Sequence, residues 1–302
     1  MLVRTRPINL ILLFVLIFLF IVLLYSQNNE PQSKELSSKL NVLIFDKWNA
    51  CMRRNMGNVT DADKFWSKFQ KWTDDCDSTA GIDMFGMVPL QNSDETKYGL
   101  LPVEGDIGST NNLVTLGIGK DIDAEKALKM KMLELGKNIT FYGADPITDV
   151  NAELYAKIGK YFPFAVGGDA GYSRASVYVN GTYMNQDVVH VDLVYFLDRI
   201  LKIKTYDHIW LDAEYAEYGV FDAFYKGGRL DEKNITFCQM SLEVHQPNDS
   251  QKTAFMHFIK TLIEEERYGF FKNYNVGHMR MWLFNFDDQY CVKKFIQRRL
   301  YE

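Results

Sequence analysis

The sequence has few of the residues that build metal centres or basic surfaces. Its four cysteines, Cys51, Cys76, Cys238 and Cys291, form no Cys-x-x-Cys pair, and no Cys/His group has zinc spacing. A structural zinc is therefore not expected, and no metal site is assigned. Lys and Arg number 34 against 39 Asp and Glu, giving a formal charge of −5 and a pI near 5.6. No basic stripe interleaves with aromatics, which argues against nucleic acid as a partner. Internal repeats and low-complexity tracts are absent, which leaves a globular reading for the body of the chain. Hydrophobic residues make up 47 % of it, enough for a substantial core.

Long apolar runs are also scarce, with one exception. Ile8 to Tyr25 is an unbroken stretch of 18 residues without charge, Gly or Pro. As a helix it nearly crosses a hydrocarbon core of roughly 30 Å. Arg4 and Arg6 precede it, so residues 1–7 are expected to stay cytosolic and the rest to be lumenal or extracellular. Signal-peptide cores are usually shorter, and Leu24-Tyr25-Ser26 lacks a small-x-small cleavage pattern. The expectation is a single-pass type II membrane protein of the secretory pathway. Five Asn-x-Ser/Thr sequons follow, at Asn58, Asn138, Asn180, Asn234 and Asn248, in keeping with that exposure. An even cysteine count in an oxidising compartment permits two disulfides, by three pairings. Cys51–Cys76 is the pair favoured by its short intervening segment.

Beyond a polar stem at 26–39, residues 40–100 read as a helical extension, with Trp48, Phe65, Trp66, Phe69 and Trp72 at helical spacings. Gly81 to Gly108 reads as a connector. Residues 101–302 read as an α/β domain. Short apolar strands over 113–119, 139–144, 162–167, 206–211 and 235–244 alternate with helices over 123–135, 148–158, 193–203, 217–225 and 253–266. A hairpin is expected around Asn180-Gly181 and another over 276–286. Such alternation implies a Rossmann-like, doubly wound, mostly parallel sheet with helices on both faces. Ligands of such sheets sit outside the carboxyl ends of the strands.

That edge collects the chemistry. The first strand ends in Gly117-Ile118-Gly119-Lys120-Asp121, where glycine lets backbone approach a ligand. The second ends in Gly143-Ala144-Asp145-Pro146, where nucleotide-type folds bond ribose. The strand over 206–211 runs into Asp212-Ala213-Glu214. His190 and His245 end two further strands, and their imidazoles titrate near working pH. Asp169 follows Gly167-Gly168.

Three stretches resemble the FkbM-type branch of the S-adenosylmethionine-dependent methyltransferases: Val114-Thr115-Leu116-Gly117-Ile118-Gly119, Phe141-Tyr142-Gly143-Ala144-Asp145-Pro146, and Ile209-Trp210-Leu211-Asp212-Ala213-Glu214-Tyr215-Ala216-Glu217. The resemblance spans roughly Leu101 to Val244. It implies S-adenosylmethionine as cofactor and O-methylation of a glycan or small-molecule hydroxyl. By the same resemblance Gly117 and Gly119 face the methionine part, Asp145 the ribose, and Asp212 the transferred methyl. Asp121 stands at the third glycine position and joins the cofactor set, with Asp169 near the adenine. Asp212, Glu214, His190 and His245 are the candidate bases. Thr115 or Leu116 replaces the usual acidic start of the glycine turn, and Tyr215 replaces the glycine of the third signature. Two alternatives accompany this reading. One is a non-catalytic binding derivative of the same fold, and the other a glycosyltransferase holding a metal through Asp212 and Glu214.

Overall fold

The computed structural model describes residues 17, 43–103, 110–179 and 182–296. The apolar stretch at 8–25, apart from Ile17, and the 26–39 stem lie outside them. Among the described residues no helix is long and apolar enough to cross a membrane.

The chain begins with two helices, α1 at 43–56 and α2 at Ala62–Ala80. Asp61 caps α2 by accepting from the Lys64 N–H, and Gly81 ends it at φ +79°. Phe65, Phe69, Thr73, Cys76 and Ala80 form its buried stripe. A hairpin follows, β1 (Val88–Gln91) with β2 (Thr96–Gly99). Then come β3 (Asn112–Leu116), α3 (Asp123–Glu134), β4 (Thr140–Ala144), α4 (Asn151–Ala156), β5 (Lys160–Phe162) and β6 (Ala165–Gly167). A long ribbon, β7 (Gly171–Val179) and β8 (Thr182–Asp192), leads through the short α5 (Leu193–Tyr195) to β9 (Thr205–Leu211). The chain closes with α6 (Arg229–Glu232), β10 (Thr236–Val244), α7 (Asp249–Glu265), β11 (Tyr268–Asn275), β12 (Met279–Asn285) and α8 (Gln289–Phe295).

Seven strands form the central sheet in the order β11-β12-β10-β9-β3-β4-β5. The five from β10 to β5 are parallel, and β12 runs against β10. The order reverses beside β3, with β4 on one side and β9 on the other. A crevice therefore opens at the carboxyl ends of β3 and β9. Both faces are covered, so β3 is buried along its whole length. Alternation sends Val114 and Leu116 into the larger core, and Leu113 toward Leu128, Phe141 and Tyr155 on the other face. The aromatics of α1 and α2 belong to that larger core. Phe69 packs on Phe255 at 5.1 Å and Phe270 at 5.4 Å between ring centroids, and Trp48 meets Phe270 edge-on at 4.8 Å. Disulfides Cys51–Cys76 and Cys238–Cys291 join α1 to α2 and β10 to α8.

Several elements differ from the sequence expectation. The 162–167 strand breaks at Pro163, which has no N–H to donate. Its second half, β6, joins a separate three-stranded sheet, β6-β8-β7. Asn180-Gly181 lies outside the described residues, although Val179 and Thr182 on either side pair as a hairpin requires. The 217–225 helix is instead two 3₁₀ turns, Ala216–Gly219 and Phe221–Phe224. Backbone at φ +48° in Glu214 and +77° in Tyr215 enters the first of them. The 193–203 helix shortens to α5 plus a π turn, Phe196–Leu201, ended by Lys202 at φ +59°. The terminal hairpin starts earlier, at Tyr268, and turns where the 276–286 hairpin was expected to begin. The β1–β2 hairpin and α8 were not expected.

Candidate active site

The glycine turn after β3 is held from two sides. The Gly117 N–H bonds the Ala144 carbonyl at 2.9 Å, and the Asp212 N–H bonds the Leu116 carbonyl at 2.9 Å. Gly117 sits at φ +88°, and a Cβ there would collide with the Asp212 carbonyl. Gly119 sits at φ +61°, and its missing Cβ would meet nothing within 4 Å. The first glycine lets two strand ends touch, and the second leaves an open cradle.

Asp145 does more than the sequence indicated. Its Oδ2 accepts from the Ile118 N–H at 2.9 Å and the Gly119 N–H at 3.5 Å, and its Oδ1 from the Ile147 N–H at 2.8 Å. Asn151 Oδ1 takes the next one, Lys120 N–H, at 2.9 Å. Three successive amides of the turn are thus engaged by side chains that follow β4. Burial raises the Asp145 carboxyl, with the Ile118, Ile147 and Gly119 amides pulling against it. A turn whose amides are engaged in this way has little to offer a pyrophosphate, unlike the phosphate-cradling turns of dinucleotide sites.

The turn opens on a cavity of about 300 Å³. Leu116, Ala144, Ile147, Val166 and Val177 form apolar walls, while Asp145, Asp212, Glu214, Lys120, Arg174 and His190 supply polar groups. Size and lining are those of a small-molecule site. Of the expected residues, Gly117, Gly119, Asp145, Asp212, Glu214 and His190 line it. His190 Nδ1 lies 3.0 Å from Ser173 Oγ. Two expected cofactor residues are elsewhere. Asp121 accepts from the Ser93 and Asp123 N–H groups, tying the β1–β2 turn to the start of α3. Asp169 is exposed outside the lining, because β6 has left the main sheet. Gly168 before it serves packing, since a Cβ there would collide with the Gly219 carbonyl.

His245 lies beside the crevice, 4 % exposed in its side chain. Its Nδ1 is 3.0 Å from Oε1 of the fully buried Glu217, which also accepts the His245 N–H at 2.7 Å. Tyr218 donates its hydroxyl to the His245 carbonyl. The other ring nitrogen, Nε2, stands 3.4 Å from Glu214 and 3.5 Å from Asp212. Burial pulls the imidazole down, but the hydrogen bond and charge of Glu217, with Asp212 and Glu214 behind it, hold it up at about 9. The Asp212 carboxyl is raised by its enclosure and then by the Glu243 charge.

A second cavity, of about 450 Å³, lies beside the end of β9. Leu211 lines that cavity and Asp212 the first, so the end of β9 separates the two. Tyr98, Tyr274 and Trp282 give the second cavity aromatic walls, and Gln70, Gln91 and Asn273 give it amides. Asn273 is 3 % and Trp282 2 % exposed, and the Asn273 amide atoms and Trp282 Nε1 have no hydrogen-bond partner. Glu95 and Lys97, an ion pair on this rim, were missed in the sequence because their hairpin was. Below the glycine turn, Thr115 stands where an acidic residue is usual. Its hydroxyl donates to the buried Glu125 at 2.8 Å, so α3 supplies the carboxylate instead.

A family model for the methyltransferase FkbM domain matches residues 54–290, well over half the chain. The chain belongs to that family. The largely parallel α/β sheet is consistent with a methyltransferase fold. No curated protein and no solved structure matches the FkbM chain.

Proposed function

We propose that the protein is an S-adenosylmethionine-dependent O-methyltransferase acting on a hydroxyl of a glycan or a small polyhydroxylated molecule. The observation that carries this reading is the amide-engaged glycine turn beside an open cavity ending at Asp212. A cofactor without phosphates suits such a turn better than a dinucleotide or a nucleotide-sugar. When bound, S-adenosylmethionine supplies an electrophilic methyl on a sulfonium. Gly117 and Gly119 would give it room, and Asp145, whose oxygens keep further lone pairs, would take its ribose hydroxyls. Lys120 and Arg174 bring positive charge suited to its carboxylate. Asp212, between the two cavities, receives the proton of the acceptor hydroxyl. Glu214 and His245 position that carboxylate. Aromatic walls with amides beside them suit a sugar, which stacks through its C–H face and bonds through its hydroxyls.

We further propose that residues 8–25 anchor the protein and that the domain is lumenal. Exposed sequons at Asn58, Asn138, Asn234 and Asn248, and two disulfides, support an oxidising compartment. Calorimetry on the purified chain tests the cofactor assignment. Micromolar binding of S-adenosylmethionine and of its demethylated product, lost in Asp145→Ala, is expected. Absence of binding by the wild type would overturn it. Tight binding without turnover on any glycan pool would favour the non-catalytic derivative.

A further inference from the structure

A second constellation lies at the carboxyl ends of β9 and β10, on the side of the larger cavity. One ligand-capable atom from each of Glu243, His245 and His278 lies within 4.8 Å of the other two. Glu95, Asp212 and Glu243 meet the same condition, so Glu243 belongs to both sets. Ligands bonded to one ion at about 2.0–2.3 Å sit roughly 3–4.6 Å apart.

The orientation of each group points the same way. Arg280 Nε donates to Glu243 Oε2 at 2.9 Å. This turns Oε1 toward His278 Nδ1 at 3.9 Å and His245 Nε2 at 4.0 Å. Those gaps are too long for hydrogen bonds and too short to hold a water in line. They are the separations of atoms that share an ion. His278 Nδ1 is buried without a hydrogen-bond partner. His245 is aimed by the buried Glu217 through Nδ1, the carboxylate–imidazole arrangement that orients metal-bound histidines. Charge agrees with geometry. Glu95, Asp212, Glu214, Glu217 and Glu243 converge here, and Lys97 and Arg280 are the fixed cations paired with them. Even with the His245 imidazolium counted beside Lys97 and Arg280, five carboxylates face three cations, a surplus that a divalent ion would offset.

We propose that Glu243, His245 and His278, with Glu95 and Asp212 beside them, form a divalent-cation site between the two cavities. Two imidazoles with carboxylates and no thiolate suit Mn²⁺, Fe²⁺ or Zn²⁺ better than Ca²⁺ or Mg²⁺. An ion here would hold the acceptor's oxygens against Asp212 and lower the pKa of the hydroxyl to be methylated.

The test uses Mn²⁺ alone, without cofactor or acceptor, on the full-length chain purified in detergent and stripped with chelator. Loss of the free Mn²⁺ electron paramagnetic resonance signal reports binding. One ion per chain with a micromolar Kd is expected. Glu243→Gln and His278→Ala each weaken it about tenfold or more, and Glu217→Gln, which only aims His245, by about 10–100-fold. Asp169→Asn leaves it unchanged. His278 lies in a partly exposed turn, 37 % open in its side chain, so its variant is expected to fold, as circular dichroism will verify. No binding by the wild type up to about 1 mM, the weak end of functional divalent-cation sites, would overturn the proposal. Equal binding by wild type, Glu243→Gln and His278→Ala would do the same. The readout is independent of methyl transfer, so its failure leaves the cofactor reading standing, and the reverse holds.

Discussion

Gly117 and Asp212 meet backbone to backbone at the ends of β3 and β9, with no room between them for a methyl group. This contact sets the floor of the cavity proposed for the cofactor, because Asp212 presents its side chain from the same peptide that Gly117 touches. Gly117→Ala must therefore separate two neighbouring strand ends and also adopt φ +88°. We expect a stability loss of about 3 kcal/mol or more and no cofactor binding. Gly119→Ala faces open space and carries only the left-handed strain, about 1 kcal/mol. Urea denaturation of the two variants checks the contrast, and equal losses would contradict the contact.

Tyr215 holds a glycine's conformation without being glycine. At φ +77°, beside Glu214 at +48°, it adopts the left-handed backbone that favours glycine. Its ring lies 5.3 Å from that of His245 and is 42 % exposed. The strain is retained and the ring covers the imidazole. Tyr215→Gly should relieve about 1 kcal/mol of strain, partly offset by the extra freedom of the unfolded chain. A thermal midpoint equal to or above wild type, together with reduced methyl transfer, is expected. A clear fall in midpoint would show that ring packing outweighs backbone strain.

The parallel core was legible because β3, β9 and β10 are buried along nearly their whole length and read as apolar runs, and because β3, β4 and β9 run directly into Gly or Asp. The edge positions of Gly117, Asp145 and Asp212 follow from that alone. Asp121 and Asp169 also follow strands, but which way a loop carboxylate turns depends on contacts the sequence does not display. For Asp121 these are the Ser93 and Asp123 amides, and for Asp169 the departure of β6 to another sheet. Glu95 was hidden because Val88-Pro89-Leu90-Gln91 is too short and too interrupted to read as a strand. Glu217 read as an ordinary helix-start residue, and only folding buries it against His245.

Glu125 makes stability depend on pH in a direction unusual for a carboxylate. It is buried beneath the glycine turn, bonded through Oε1 to Thr115, which also accepts the Tyr155 hydroxyl at 3.0 Å. Burial raises its pKa from 4.5 to about 7, against the Thr115 hydrogen bond. The folded state then holds a proton that the unfolded state releases. Its contribution is complete below about pH 4.5 and is lost as pH rises to about 7, by roughly 2–4 kcal/mol. Glu125→Gln keeps the shape and removes the titration. The difference in unfolding free energy between variant and wild type should grow in the variant's favour from pH 5 to pH 8, a range set by that shift. A difference independent of pH would place the proton elsewhere.

The two disulfides constrain different parts of the molecule. Cys51–Cys76 closes a separation of 25 residues within the first two helices, and Cys238–Cys291 closes 53 between β10 and α8. Chain entropy assigns about 3.5 kcal/mol to the first and about 4 kcal/mol to the second. Both pairs are buried in the larger core, so sulfur removal also costs packing. The second pair fastens β10, which carries Glu243 and leads directly into His245. Cys238→Ser with Cys291→Ser should therefore lower the melting midpoint and weaken both cofactor and Mn²⁺ binding. Cys51→Ser with Cys76→Ser should lower the midpoint by a similar amount while leaving both affinities within about twofold, since distant sites act nearly independently. Differential scanning fluorimetry and titration of the two double variants separate these outcomes, and equal loss of affinity in both would show that α1 and α2 support the site directly.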